Sequence, residues 1–257
     1  MKITRITLCP IEGRFHKFVS MNAGGKPAGL TYTNILIRIK TDQGLEGLGV
    51  MAGRLDRAYQ ESLRSLIGAN PLDLYKMIGS RVGDRLPAHA AVLARYPHLD
   101  GPLLDLIGKL NGKPCWKLLG DGALDQIPVY DGTIYFADIW FRDRGVRAVI
   151  EEVEESLKKG YTAMKLEVGR SLQAAGSVAK PHNWASQIGV LMALQLAKAC
   201  AGVTGVEDDR STCDALVADG YSFRNGFYTV PDMPGLSLTV DEKTYKQKYQ
   251  VKETVLD

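Results

Sequence analysis

Polar and apolar residues alternate from Asn34 to Lys40. Ile35, Ile37 and Ile39 fall on one face of an extended segment, and Leu36 and Arg38 fall on the other. Thr41-Asp42-Gln43-Gly44 breaks the run before a second one, Leu45 to Met51, so the pattern predicts a hairpin with its turn near Gly44. A further strand is expected near the N-terminus from Lys2. Between it and the hairpin, Pro10 to Leu30 is rich in Gly, Lys and Asn and reads as a long connection, of the kind that usually carries function. From Gly53 to about Leu119 the period becomes helical. Leu99, Leu103, Leu106, Ile107 and Leu110 form one apolar stripe on a helix that stops at Asn111-Gly112. The first 120 residues therefore predict an α+β domain, a small antiparallel sheet followed by helices.

Past Gly120-Asp121-Gly122 the pattern changes again. Ile127 to Phe136 predicts a strand, and Arg144 to Lys159 a helix with Val146, Val149, Ile150, Val153 and Leu157 on one face. Tyr161 to Val168 predicts a second strand, completing one βαβ unit with parallel strands. A short strand (Val178 to His182), a helix (Ser186 to Cys200), a strand (Val203 to Glu207) and a Gly/Pro-punctuated tail follow.

Composition narrows the classes. Of 257 residues, 45% are hydrophobic and 24% charged, which excludes a disordered or fibrous chain. Thirty-two Lys+Arg against 29 Asp+Glu leave a net charge of +3, too small a basic surplus for a nucleic-acid partner. The four cysteines, Cys9, Cys115, Cys200 and Cys213, lie far apart with no metal-ligand spacing, as expected of reduced intracellular thiols. With no apolar run of membrane-spanning length and no signal-like h-region, the expectation is a cytoplasmic protein without a membrane partner.

Three polar groups sit where candidate parallel strands end, the position at which α/β sheets and barrels present ligand-binding side chains. They are Lys165 with Glu167, which point to one side of a strand; His182, with Asn183 beside it; and Glu207, followed by Asp208 and Asp209. Arg14, in the long connection, is a further candidate substrate contact. Each has a plainer reading. Lys165 and Glu167 fit a solvated edge pair, His182 a loop residue beside a proline, and Glu207-Asp208-Asp209 a solvated charge run or a helix start.

Leu103 to Pro114 (LLDLIGKLNGKP), Leu118-Leu119-Gly120, Gly160 to Gly169 (GYTAMKLEVG), Pro181-His182-Asn183-Trp184 and Val206 to Asp214 (VEDDRSTCD) are spread between residues 103 and 214. On these segments the sequence resembles the enolase superfamily, specifically the mandelate racemase and muconate lactonising enzyme group, and within it the acid-sugar dehydratase-like members. The resemblance implies an α+β capping domain (1–120) followed by a (β/α) barrel domain (121–228), with the tail 229–257 returning to pack on the cap. It also implies Mg²⁺-assisted abstraction of the proton α to a carboxylate, on a small-molecule hydroxy or sugar acid, by a homo-oligomer. Carried over, Lys165 is the first lysine of the Lys-x-Lys strand motif, His182 the seventh-strand acid/base and Glu207 the eighth-strand carboxylate. The segment 10–30 would be the substrate-selecting lid.

Two departures stand out. Glu167 replaces the second lysine of the strand motif. Only eight residues separate Gly169 from Val178, where four barrel strands and the usual metal carboxylates belong. A full barrel takes about 250 residues, whereas Leu124 to Asp257 supplies 134. The expectation is an incomplete barrel of about four βα units, lacking the usual Mg²⁺ ligands and not competent for catalysis alone. The alternatives are an active site rebuilt at a subunit interface, with Glu167 recruited to the metal, or a non-catalytic self-associating protein. The discriminating geometry is whether the Lys165 strand lies directly beside the strand ending at His182.

Overall fold

A computed structural model describes residues 1–21, 26–53, 55–122, 124–167, 182–183, 185–200 and 203–257. Its first sheet is antiparallel. Strands β1 (Ile3–Met21), β2 (Pro27–Thr41) and β3 (Glu46–Met51) lie in sequence order, and the β2–β3 hairpin turns at the predicted place. Helix α1 (Arg57–Arg64), the small hairpin β4 (Tyr75–Ile78) and β5 (Arg81–Arg85), and helices α2 (Pro87–Arg95), α3 (Asp100–Leu110) and α4 (Cys115–Leu119) complete this half. Ile6, Leu8, Ile37 and Ile39 of the sheet meet Leu63, Leu103, Leu106 and Ile107 of the helices in one core. The leucine stripe of α3 is thus inward, as its period requires.

The segment expected to be a long connection is instead the outer half of the β1–β2 ladder, with Arg14 opposite Thr31, Val19 opposite Gly29 and Met21 opposite Pro27. Ile11, Gly13 and Phe15 are buried while Glu12 and Arg14 are exposed, an alternation of period two. Gly13 concealed it. It reads as a breaker, yet it is needed because the Tyr32 ring covers it: a Cβ there would lie 2.1 Å from Tyr32 Cζ. The helical period expected throughout 53–119 is likewise interrupted by the β4–β5 hairpin.

The second half is built on β6 (Ile127–Tyr135), followed by α5 (Ala137–Trp140), α6 (Val146–Lys158), β7 (Met164–Glu167), α7 (Gln187–Ala199) and β8 (Val206–Asp208). Strand β6 pairs in parallel with β7 and with β8. Among the described residues, then, the Lys165 and Glu207 strands flank a shared neighbour. The expected strand 178–182 falls outside the described residues apart from His182. Ile127, Val129, Tyr161, Leu194 and Val206 pack with Trp116 in a second core. Helix α6 forms where predicted, and its apolar face is turned outward: Ala148 and Ser156 are buried, and Val146, Ile150 and Leu157 are exposed.

Short strands finish the chain. They are β9 (Leu216–Ala218), β10 (Ser222–Arg224), β11 (Phe227–Thr229) and β12 (Leu238–Val240), then helix α8 (Glu242–Lys248) and β13 (Thr254–Leu256). Strand β11 pairs antiparallel with β6 at Ile127 and Pro128, and β13 pairs antiparallel with β1 at Ile6 to Leu8. Among the described residues, no helix is long and apolar enough to cross a membrane.

Candidate active site

Register in the parallel sheet decides which side chains meet. Tyr130 stands opposite Glu207 and Asp131 opposite Asp208, so Tyr130 and Glu207 share one face while Asp131 and Asp208 share the other. On the first face the Glu207 carboxylate is completely buried and surrounded by donors. Lys165 Nζ donates to its Oε1 at 2.8 Å, and His182 Nδ1 lies 2.5 Å from its Oε2. The Tyr130 hydroxyl and the Asn183 backbone N–H each reach Oε2 at 3.4 Å. Gly132 permits this packing, because a Cβ there would lie 2.2 Å from Oε1. A buried carboxylate is costly unless paired and hydrogen-bonded, and here it is both.

Lys165 also donates to the Tyr135 hydroxyl at 3.1 Å and sits over that ring, 5.2 Å from its centroid. Burial pulls the ammonium's pKa down, but the hydrogen bonds to Glu207 and Tyr135 outweigh it and hold Lys165 above the usual lysine range. Desolvation pushes the Tyr130 phenol up to about 12. The cluster therefore offers a fixed cation, an exposed imidazole and two phenols around one carboxylate.

The structure brings together Lys165, His182, Asn183 and Glu207. The Asn183 side-chain amide nitrogen is buried and has no acceptor among the described residues. Glu167 ends β7 in register with Tyr135, and its side chain lies outside the described part. Arg14 is placed elsewhere. Its backbone exchanges hydrogen bonds with Thr212, and it lines a separate cavity of about 440 Å³ with Glu12, Asp214, Lys248 and Lys252. Tyr130 and Tyr135 are additions that sequence reasoning missed; the alternation of β6 was the signal available for Tyr130.

Glu207-Asp208-Asp209 is not a solvated charge run, since all three are buried. Asp208 turns to the opposite face, where it accepts from the Tyr161 hydroxyl and the Arg210 N–H, and burial raises its pKa to about 6. Asp209 accepts from the Ser211 and Ser186 N–H groups at the start of α7. Asp131 accepts from Thr133, Ser156 and Arg210 on the outer face.

A Mg²⁺ ion requires near-octahedral oxygen ligation. Among the described residues there is no group of three or more His, Cys, Asp or Glu side chains placed to hold a metal. Glu207 already engages an ammonium and an imidazole, and Asp208 and Asp131 face away. The described donor set does not fit the ion.

No protein-family profile matches the chain. Among curated proteins it is 27% identical to cis-3-hydroxy-L-proline dehydratase of Roseibium aggregatum over 198 residues, which are 66% of this chain and 46% of that protein. It is 30% identical to D-xylonate dehydratase of Haloferax volcanii over 151 residues, 53% of this chain and 34% of that one. The chain thus spans less than half the length of the curated relatives it matches. Among solved structures it is similar to galacturonate dehydratase from a Geobacillus species, with a TM-score of 0.75, 17% identity and 96% of each chain covered. It is also similar to N-succinyl Arg/Lys racemase from Bacillus cereus (TM-score 0.74, 14% identity, 100% of each chain). L-talarate dehydratase from a Polaromonas species, solved with Mg and L-glucarate, has a TM-score of 0.68 at 15% identity and covers 99% of this chain and 98% of its own.

The chain shares the fold of these solved structures, consistent with a capping domain joined to a barrel. The proteins it matches by sequence are dehydratases, and those it matches by fold are dehydratases and a racemase.

Proposed function

We propose that the chain carries part of a sugar-acid dehydratase or racemase site, one that removes the proton α to a carboxylate with Mg²⁺, and that it does not complete this reaction alone. One observation carries the reading. Both Glu207 oxygens are engaged by Lys165 and His182, and the described residues add no carboxylate set fit for the metal. In this reading Lys165 is a permanent cation that orients a substrate carboxylate, and Glu207 holds Lys165 and the imidazole in place. His182, being exposed, is the one group of the three free to take a proton. The barrel is then incomplete at about four βα units. Residues 1–120 form the cap, 121–228 the barrel part, and 229–257 return to the cap, as the β1–β13 pairing supports. The protein works in the cytoplasm as a homo-oligomer.

The test is proton exchange. Sugar acids incubated with the chain and Mg²⁺ in D₂O should gain no deuterium at the α-carbon, and calorimetry should find only very weak Mg²⁺ binding. Deuteration, or a tight stoichiometric Mg²⁺ site, overturns the proposal. The convergence of Lys165, His182 and Glu207 into one cluster favours a second reading, an active site rebuilt between subunits. That reading requires exchange which His182→Ala and Lys165→Ala both abolish.

A further inference from the structure

Helix α6 presents its apolar side to water. The side turned inward carries Ala148, Glu152 and Ser156, with Glu152 paired to Lys17 of β1 at 2.9 Å and Ser156 bonded to Asp131 of β6. The opposite side carries Val146, Ile150 and Leu157 at 69%, 52% and 55% exposure, with Val149 and Val153 half-buried alongside. At helical spacing these residues form a continuous stripe, and such stripes normally face a core or a partner. Polar ties to β1 and β6 fix the helix in this orientation, so rotation cannot bury the stripe within the same chain.

We infer that α6 is the surface on which a second copy of this chain docks, the two helices running antiparallel about a two-fold axis. The inference rests on the homo-oligomer reading above and gives it a surface. Val146, Ile150, Val153 and Leu157 are spaced four, three and four apart, a pattern that reads the same in both directions. An antiparallel copy therefore sets Val146 against the partner's Leu157 and Ile150 against the partner's Val153, with knobs of similar size meeting throughout. The charges agree. Arg147 and Glu154 flank the stripe on the same side of the helix, and antiparallel packing brings Arg147 to the partner's Glu154 twice over. Glu154 is exposed and has no ion pair within its own chain among the described residues, while Arg147 holds Glu151 at 3.2 Å. Because the contact is isologous it closes, giving a dimer rather than a filament.

Sedimentation of the full chain tests the inference. The wild type should dimerise, and Ile150→Lys should sediment as a monomer with an unchanged circular dichroism spectrum, since Ile150 is exposed in the single chain. Arg147→Glu should raise the dissociation constant about tenfold, and adding Glu154→Arg to it should restore dimerisation. A wild type that stays monomeric overturns the oligomer reading and the surface together. A dimer indifferent to Ile150→Lys overturns the surface alone, and a double variant that fails to recover overturns the antiparallel register.

Discussion

The Lys165 ammonium lies 2.8 Å from a carboxylate that water does not reach, and the consequence is chemical. A lysine held above its usual pKa is a poor proton acceptor near neutrality and a poor nucleophile, but it is a reliable cation. Each unit of pKa changes the neutral fraction about tenfold. Mapping acylated peptides by mass spectrometry should therefore find Lys165 among the least reactive lysines, and Glu207→Gln should raise its reactivity about tenfold or more. Equal reactivity in the two proteins would show that shielding, not the ion pair, protects it. Lys165, His182 and Glu207 were all legible in the sequence as polar groups at strand ends. Their convergence was not, because it depends on β7 and β8 flanking a common strand, which no local pattern encodes. Nor did the sequence mark Tyr135, whose side chain reads equally well as a core aromatic; for Tyr130 the alternation of β6 was the one signal.

At the scale of elements, one buried carboxylate fastens three segments. Asp105 on α3 accepts the Leu48 N–H of β3, the Leu236 N–H of the C-terminal region and Lys109 Nζ, at 2.8, 2.8 and 2.6 Å. Gly235 lies so close that a Cβ there would come within 2.2 Å of Asp105 Oδ1. Asp105→Ala strands two buried N–H donors and a lysine, so it should cost about 3 kcal/mol or more. Urea unfolding would read this as a lower midpoint at constant slope; a change under 1 kcal/mol would contradict the role. Periodicity found α3, the β2–β3 hairpin and the succession of β6, α6 and β7, because there local pattern and tertiary burial agree. It failed at Gly13, whose missing side chain makes room for Tyr32, and it left the orientation of α6 open, where the buried face is polar and the apolar face exposed.

Over the whole molecule, β1 meets α6 through the His16–Glu155 and Lys17–Glu152 pairs, and this junction should be sensitive to acid. His16 of β1 is half-buried there, 3.7 Å from Glu155 of α6, and neither ring nitrogen has a hydrogen-bond partner among the described residues. Burial, reinforced by the Arg210 charge, lowers its pKa to about 3 from an ordinary value near 6.5. The unfolded chain therefore binds this proton several pH units before the folded one does. Stability is complete above about pH 6.5 and is lost progressively as pH falls toward 3. Asp208 acts in the opposite sense. Raised to about 6, it favours the folded state while protonated, and that contribution fades as pH rises from about 4 to 6. The two effects are separable by substitution. Between pH 7 and pH 4.5 the melting temperature of the wild type should fall further than that of His16→Phe, because the variant has no proton to exclude. Asp208→Asn, which cannot gain the same proton, should fall further than the wild type. Parallel pH profiles for His16→Phe and the wild type would mean that the junction between β1 and α6 is not where acid first acts.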